Sequence, residues 1–175
     1  MIEFSRHPVA GTPRVGEYWA GQGGVYAGIM PDYESTSPYH LLVSTDEAAN
    51  LEWGGYSHAD AQARNASNGD KNTGWLMQCG HLHPAARWAA DYQKDGQRDF
   101  YLPSQRELEM AAASVPEQFS RSHWYWSSTE HSPTEARGGN FNGMPVNHTF
   151  KSYLYGHVRA VRRIFVSEGD TVASS

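Results

Sequence analysis

Apolar and polar residues change their period several times along this 175-residue chain, and each change marks an element. From Val15 to Ala20 and from Val25 to Met30, aromatic and aliphatic residues mix with small ones. Gly21-Gln22-Gly23-Gly24 separates the two runs, which predicts a hairpin. Tyr39 to Ser44 predicts a third strand. Residues 50–70 are polar and glycine-rich, and end in the turn-forming stretch Asn68-Gly69-Asp70-Lys71-Asn72-Thr73. Trp75, Leu76 and Cys79 then fit one helical stripe, and Pro84 opens Ala85–Tyr92 at a position where a helix tolerates proline. Phe100-Tyr101-Leu102-Pro103 predicts a short buried strand. Ser104-Gln105-Arg106-Glu107 reads as a capping box, in which hydroxyl and carboxylate each accept a backbone N–H of the other residue. Its helix stops before Pro116. Beyond it the pattern predicts strands at 124–129, 136–141 and 158–166, with Asn142-Gly143 as a hairpin turn.

The expected fold is therefore α+β. Two helices, near 73–93 and 104–114, pack on a small mixed or antiparallel sheet that includes 124–129 and 158–165. Residues 1–14, with Pro8, Gly11 and Pro13, read as an N-terminal arm. Residues 15–166 form one domain, and 167–175 a small, polar tail.

Composition narrows the function. Aromatic residues reach 13%, with six Trp and ten Tyr, against 19% charged residues. Most of the Trp are expected in the core, while Tyr and Trp also suit surfaces that grip a partner. The net charge of −5 gives no drive toward phosphate backbones, so nucleic acid is not expected as a partner. Cys79 is the sole cysteine, so packing and hydrogen bonds hold the fold, as suits a reducing cytoplasm. The first residues lack a basic region followed by an apolar run, so no secretion signal is expected. No run approaches the ~18 apolar residues of a membrane span.

Catalytic and metal motifs are weak. His81-x-His83 is the tightest histidine pair among nine, but spacing fixes no third ligand. Cys79 alone completes no zinc pattern, so these groups read as structural or surface residues, with neither metal nor cofactor expected. Asn68, Asp70, Asn72 and Thr73 read as helix capping rather than calcium ligation. The glycines at 21–24 lack the Lys-Ser/Thr of a phosphate loop, and no Gly-x-Ser-x-Gly elbow occurs. Of Arg159 and Arg162, one is expected to turn inward and pair with Glu107 or Glu130.

Several of these residues recur in one order: Phe100 to Glu109, Tyr125-Trp126-Ser127-Ser128-Thr129-Glu130, Ala136, Phe141, Lys151-Ser152, and Val158 to Arg163. The set resembles the collagen-like adhesin C-terminal domain family over about residues 95–165. Gly16 to Trp19 with Gly21 to Gly28 resembles the version found in bacteriophage and prophage proteins. The resemblance implies a C-type-lectin-like fold, adhesion rather than catalysis, and often a homotrimer. It also implies a place on the virion, at a phage tail made in the host cytoplasm, among other tail proteins and facing a bacterial surface receptor. The formylglycine-generating enzymes look similar too, but their copper chemistry uses two Cys, and this chain has only Cys79.

The scaffold is then expected to rest on Ser104, Glu107, Trp126, Glu130, Arg159 and Arg162. The candidate receptor face lies in residues 131–157, which have no regular period. Its members are His131, Thr134, Arg137, Asn140, Asn142, Met144, Asn147, His148, Tyr153, Tyr155 and His157. Rigid rings beside adaptable polar groups resemble the palette of antibody paratopes. A baseplate or fibre subunit without its own receptor is the alternative.

Overall fold

Gly21 and Gly23 adopt φ of +79° and +82°, and that left-handed backbone closes the first hairpin. A computed structural model describes residues 11–31, 33–34 and 37–166. The hairpin joins β1 (Tyr18–Trp19) to β2 (Gly24–Met30), with Tyr18 opposite Val25. β3 (Tyr39–Val43) pairs antiparallel with β2. A short strand that the sequence pattern did not predict, β4 (Ala48–Leu51), follows. Three helices come next: α1 (Gly69–Leu76), α2 (Pro84–Asp91) and α3 (Gln105–Ser114). The remaining strands are β5 (Trp124–Glu130), β6 (Glu135–Gly139), β7 (Asn147–Phe150), β8 (Gly156–Val158) and β9 (Val161–Phe165). The fold is α+β, as expected.

Three expectations need correction. The single helix at 73–93 is two, and the first starts earlier. Asn68 caps α1 by accepting the Lys71 N–H at 3.0 Å. After Leu76 the chain turns through Gly80, at φ +87°, before Pro84 starts α2. The sheet is likewise two sheets. One runs β1-β2-β3-β9 and the other β4-β8-β5-β6-β7, with β5 and β8 parallel. The last predicted strand breaks at Arg159-Ala160, where the chain changes sheet. Ser44 grips the break: its N–H donates to the Ala160 carbonyl at 2.8 Å, and its hydroxyl accepts the Ala160 N–H at 3.0 Å. Arg14 lies on the exposed surface beside Glu17, while residues 1–10 of the expected arm and the tail 167–175 lie outside the described residues.

The third correction concerns the buried charges. Glu107 is fully buried and pairs with no arginine among the described residues. Its carboxylate accepts from the Tyr39 hydroxyl (2.6 Å), the Tyr101 hydroxyl (2.7 Å), Ser104 N–H (2.8 Å) and Gly69 N–H (3.1 Å). The capping box is present, and its glutamate also ties α3 to β3 and α1. Gly69 is required there, because a Cβ would sit 2.5 Å from Ser104 N and 2.6 Å from Glu107 Oε2. Arg162 does turn inward, but it bonds Asp99 and the Gln22 side chain. Strand parity explains this. Arg162 stands opposite Leu42, whereas Val161 packs in the cluster of Tyr101 and Leu108. Arg163, one residue on, reaches Asp70 at 2.8 Å and lies 5.8 Å from the Tyr101 ring. Arg159 donates to the Ser44 and Thr45 carbonyls, both at 2.9 Å.

Two main apolar clusters form the core. Leu108, Ala111 and Val115 of α3 pack on Val25, Leu41 and Val43. Leu76, Ala86 and Ala89 of the other helices pack on Trp53, Leu102, Trp126 and Val158. Trp19, Trp53 and Trp126 are buried, and Trp75, Trp88 and Trp124 are half-buried.

Glu107→Ala leaves two hydroxyls and two amides without their acceptor. Each such loss costs about 1–3 kcal/mol before relaxation. Denaturant unfolding is expected to show a loss of at least about 3 kcal/mol. A loss below about 1 kcal/mol, within the range of ordinary hydrogen bonds, would remove Glu107 from this role.

Candidate binding face

The expected face stands on a buried cation. Lys151 follows β7 and is fully buried. An ammonium has three protons to donate. Lys151 gives them to the His58 carbonyl (2.8 Å), Asp60 Oδ2 (3.1 Å) and Glu130 Oε1 (2.8 Å). Its Nζ also stands 4.7 Å from the centre of the Trp53 ring. Main-chain bonds hold the same residue: Lys151 N–H donates to Thr134 O at 2.9 Å, and Trp53 N–H donates to Lys151 O at 3.1 Å. Burial pushes the Glu130 carboxyl up, but Lys151, the Asp60 N–H and Arg64 together outweigh it, so Glu130 lies below its ordinary value.

Hairpin β6–β7 extends from this base at the edge of its sheet. Arg137 stands opposite His148, and Glu135 opposite Phe150. Alternation puts these four on one face, while Ala136 turns inward and is fully buried. His131 stacks on His148 with ring centroids 3.9 Å apart, and His148 Nδ1 lies 3.3 Å from Glu135 Oε1. Thr134 sits in the turn before Glu135, its hydroxyl 3.4 Å from that of Ser132. Asn147 is exposed opposite Gly138.

The other expected residues fall elsewhere. Asn140, Asn142 and Met144 lie in the connection between β6 and β7. There Phe141, Gly143, Met144, Pro145 and Val146 form an apolar groove of about 310 Å³ against Glu109, Ala112 and Ala113 of α3. Tyr153 and Tyr155 lie in the loop before β8, edge to face at 5.8 Å, with Tyr155 65% exposed. Tyr153 also contacts the buried Trp126, with ring centroids 6.4 Å apart. His157 is not on the surface. It is buried, stacked on His123 at 3.9 Å, with Nδ1 3.7 Å from Glu47.

Sequence reasoning passed over Phe150 and Leu154, which are 56% and 59% exposed beside the tyrosines. Their signal was present, since apolar residues in a polar loop suggest contact with a partner. Lys151 was noted only as part of a motif. Its burial had no local signal, because its acceptors lie 21 to 93 positions away.

Lys151→Met removes one side of a buried charge cluster and is expected to cost about 3–5 kcal/mol in thermal or denaturant melts. Acid acts on the same cluster. Because the folded-state value of Glu130 is lowered, its stabilisation is complete above the ordinary value of 4.5 and is lost as pH falls through the folded value. Melts from pH 6 downward are expected to show that loss in the wild type and a smaller one in Glu130→Gln. Equal acid sensitivity in both proteins would contradict the assignment.

No family model matches the chain, and no curated protein matches it either.

Proposed function

We propose that this chain is a non-catalytic attachment module with C-type-lectin-like architecture. It sits at a phage tail tip and grips a bacterial surface receptor through hairpin β6–β7 and the loop at 152–155. The observation that carries this reading is the contrast between base and face. Trp126 and Lys151 beneath are fully buried and bonded, while Phe150, Tyr153, Leu154 and Tyr155 above are exposed. Rings held by a rigid base lose little entropy on binding. Tyr beside His and Arg offers stacking and hydrogen bonding to a sugar or a protein surface. The lectin-like layout is supported by the last strand, β9, which closes onto β3 near the start of the chain and leaves the second sheet to carry loops. Absence of catalysis is supported by the single cysteine, which does not supply the pair that formylglycine-generating chemistry uses. The same reading includes a homotrimer, which light scattering on full-length and arm-deleted protein would test; a monomer in both would remove it.

Simultaneous replacement of Arg137, His148, Tyr153 and Tyr155 by Ala is expected to abolish or redirect attachment to host cells. Tyr153 and Tyr155 are exposed and Arg137 and His148 half-buried, so the melting temperature is expected to fall far less than on loss of a core residue. Trp126→Ala is expected to do the reverse, costing about 3–5 kcal/mol through the cavity it leaves and the indole bond to Leu51 O it removes. The measurement is a cell-binding assay beside a melt for each variant. Wild-type attachment by the fourfold variant would leave the structural-subunit reading in its place.

A further inference from the structure

The two loops flanking Lys151's partners bring together three side chains that sequence spacing did not connect. Cys79 lies between α1 and α2, His83 directly precedes α2, and Asp60 ends the loop after Trp53. Cys79 Sγ lies 3.3 Å from His83 Nε2, and Asp60 Oδ2 lies 3.8 Å from that nitrogen. All three donor atoms fall within 4.8 Å of one another. Zinc bonds of about 2.0 Å to nitrogen or oxygen and about 2.3 Å to sulfur, at tetrahedral angles, place ligand atoms about 3.3–3.6 Å apart. The two distances to His83 Nε2 are already near that spacing.

Three further features suit an ion. His83 Nδ1 lies 3.1 Å from the Trp53 carbonyl. That oxygen accepts only from an N–H, so the proton sits on Nδ1 and the lone pair of Nε2 faces Cys79 and Asp60. Metal-binding histidines are commonly oriented this way. Gly55, at φ +62°, passes over the site. A Cβ there would come within 3.1 Å of Asp60 Oδ2 and 3.2 Å of His83 Nε2, so the glycine keeps the space before the donors open. A cavity of about 250 Å³ lined by Met77, His81, Leu82, His83, Pro84 and Arg87 borders the site at His83.

We propose that Asp60, Cys79 and His83 form a three-residue binding site for a zinc-class divalent cation. Sulfur and imidazole donors select borderline-soft metals over calcium or magnesium. Lys151 occupies one side of Asp60 Oδ2, and a carboxylate oxygen has a second lone pair to offer. Asp60 and Glu130 are matched by Lys151 and Arg64, so the added charge of an ion would be met by the Cys79 thiolate. Cys79 gives up its thiol proton to solvent as the metal–sulfur bond forms. The ion clips the loop at 54–60 to the connection between α1 and α2. This proposal is independent of the attachment reading and stands or falls separately.

Cobalt(II) is the probe. The full chain, kept reduced by a phosphine and stripped with a chelator, is titrated with cobalt chloride. The expected result is a single tight cobalt per chain with a thiolate-to-cobalt charge-transfer band, displaced by zinc, and a higher melting temperature in its presence. Cys79→Ser is nearly isosteric at a half-buried position and is expected to fold, yet to lose the band and weaken binding at least tenfold. His83→Gln and Asp60→Asn are expected to weaken it similarly, and their melts without metal report whether they fold. The half-buried cluster of His131, Glu135 and His148 has no sulfur, so cobalt bound there gives no such band. Absence of the band from wild-type protein in excess cobalt, or its survival in Cys79→Ser, would overturn the proposal.

Discussion

A buried ammonium cannot remain without acceptors, and in this protein that requirement organises one end of the fold. An isolated charge in an apolar interior costs many kcal/mol, so Lys151 stays buried only where three acceptors converge. They come from distant parts of the chain: His58 and Asp60 from one loop, and Glu130 from the end of β5. Satisfying Lys151 therefore requires loop, strand and hairpin to be in place together. Because the three protons are all used, the start of the loop at 152–155 has one place to stand.

Glu107 is the counterpart at the other end. It is an acceptor fully buried among donors, and its four partners come from β3, α1, the strand-like segment at 101 and its own helix start. With one cysteine, the chain has no intrachain covalent staple available. Two saturated polar centres, one cationic and one anionic, tie its distant segments instead. Such centres add little net energy over a well-packed apolar core. They do penalise wrong arrangements heavily, since any misplaced segment leaves a buried group unpaired.

What the sequence made legible follows from range. The capping box at Ser104 and Glu107 was readable because it spans three residues, and α3 starts and stops where predicted. The hairpin at 18–25 was readable from its glycines. The break at Arg159-Ala160 was not, because it is imposed by Ser44, 116 positions away. The pairing of Glu107 and Glu130 failed for a similar reason. The carboxylates are buried, as expected of such motif positions, but strand parity turns Arg162 toward Asp99, and Lys151 rather than an arginine fills the space beside Glu130. Of the candidate face, Tyr153 and Tyr155 were legible as rings in a polar loop. His157 was misplaced because no period distinguished the inward strand β8 from the loop before it.

The histidines show most plainly how contact is decided by fold rather than spacing. Three stacked pairs form, His58 with His81, His123 with His157 and His131 with His148, each with ring centroids 3.9 Å apart. The members of each pair are 17 to 34 positions apart, so no motif announces them. Two cationic rings in such a stack would repel, so close stacking favours neutral imidazoles. His131 and His157 follow this logic: burial first, and the neighbouring histidine next, pulls each below its ordinary value. Only one of these pairs, His131 with His148, lies on the face proposed for attachment. There it stands beside Glu135 and opposite Arg137, so two flat rings, a carboxylate and a guanidinium share one strand surface. A face of that kind presents stacking and directional hydrogen bonding together while its backbone is held by the ladder beneath. The lysine at the base and the rings at the rim are thus parts of one arrangement, in which buried charge fixes the geometry that exposed aromatic groups use.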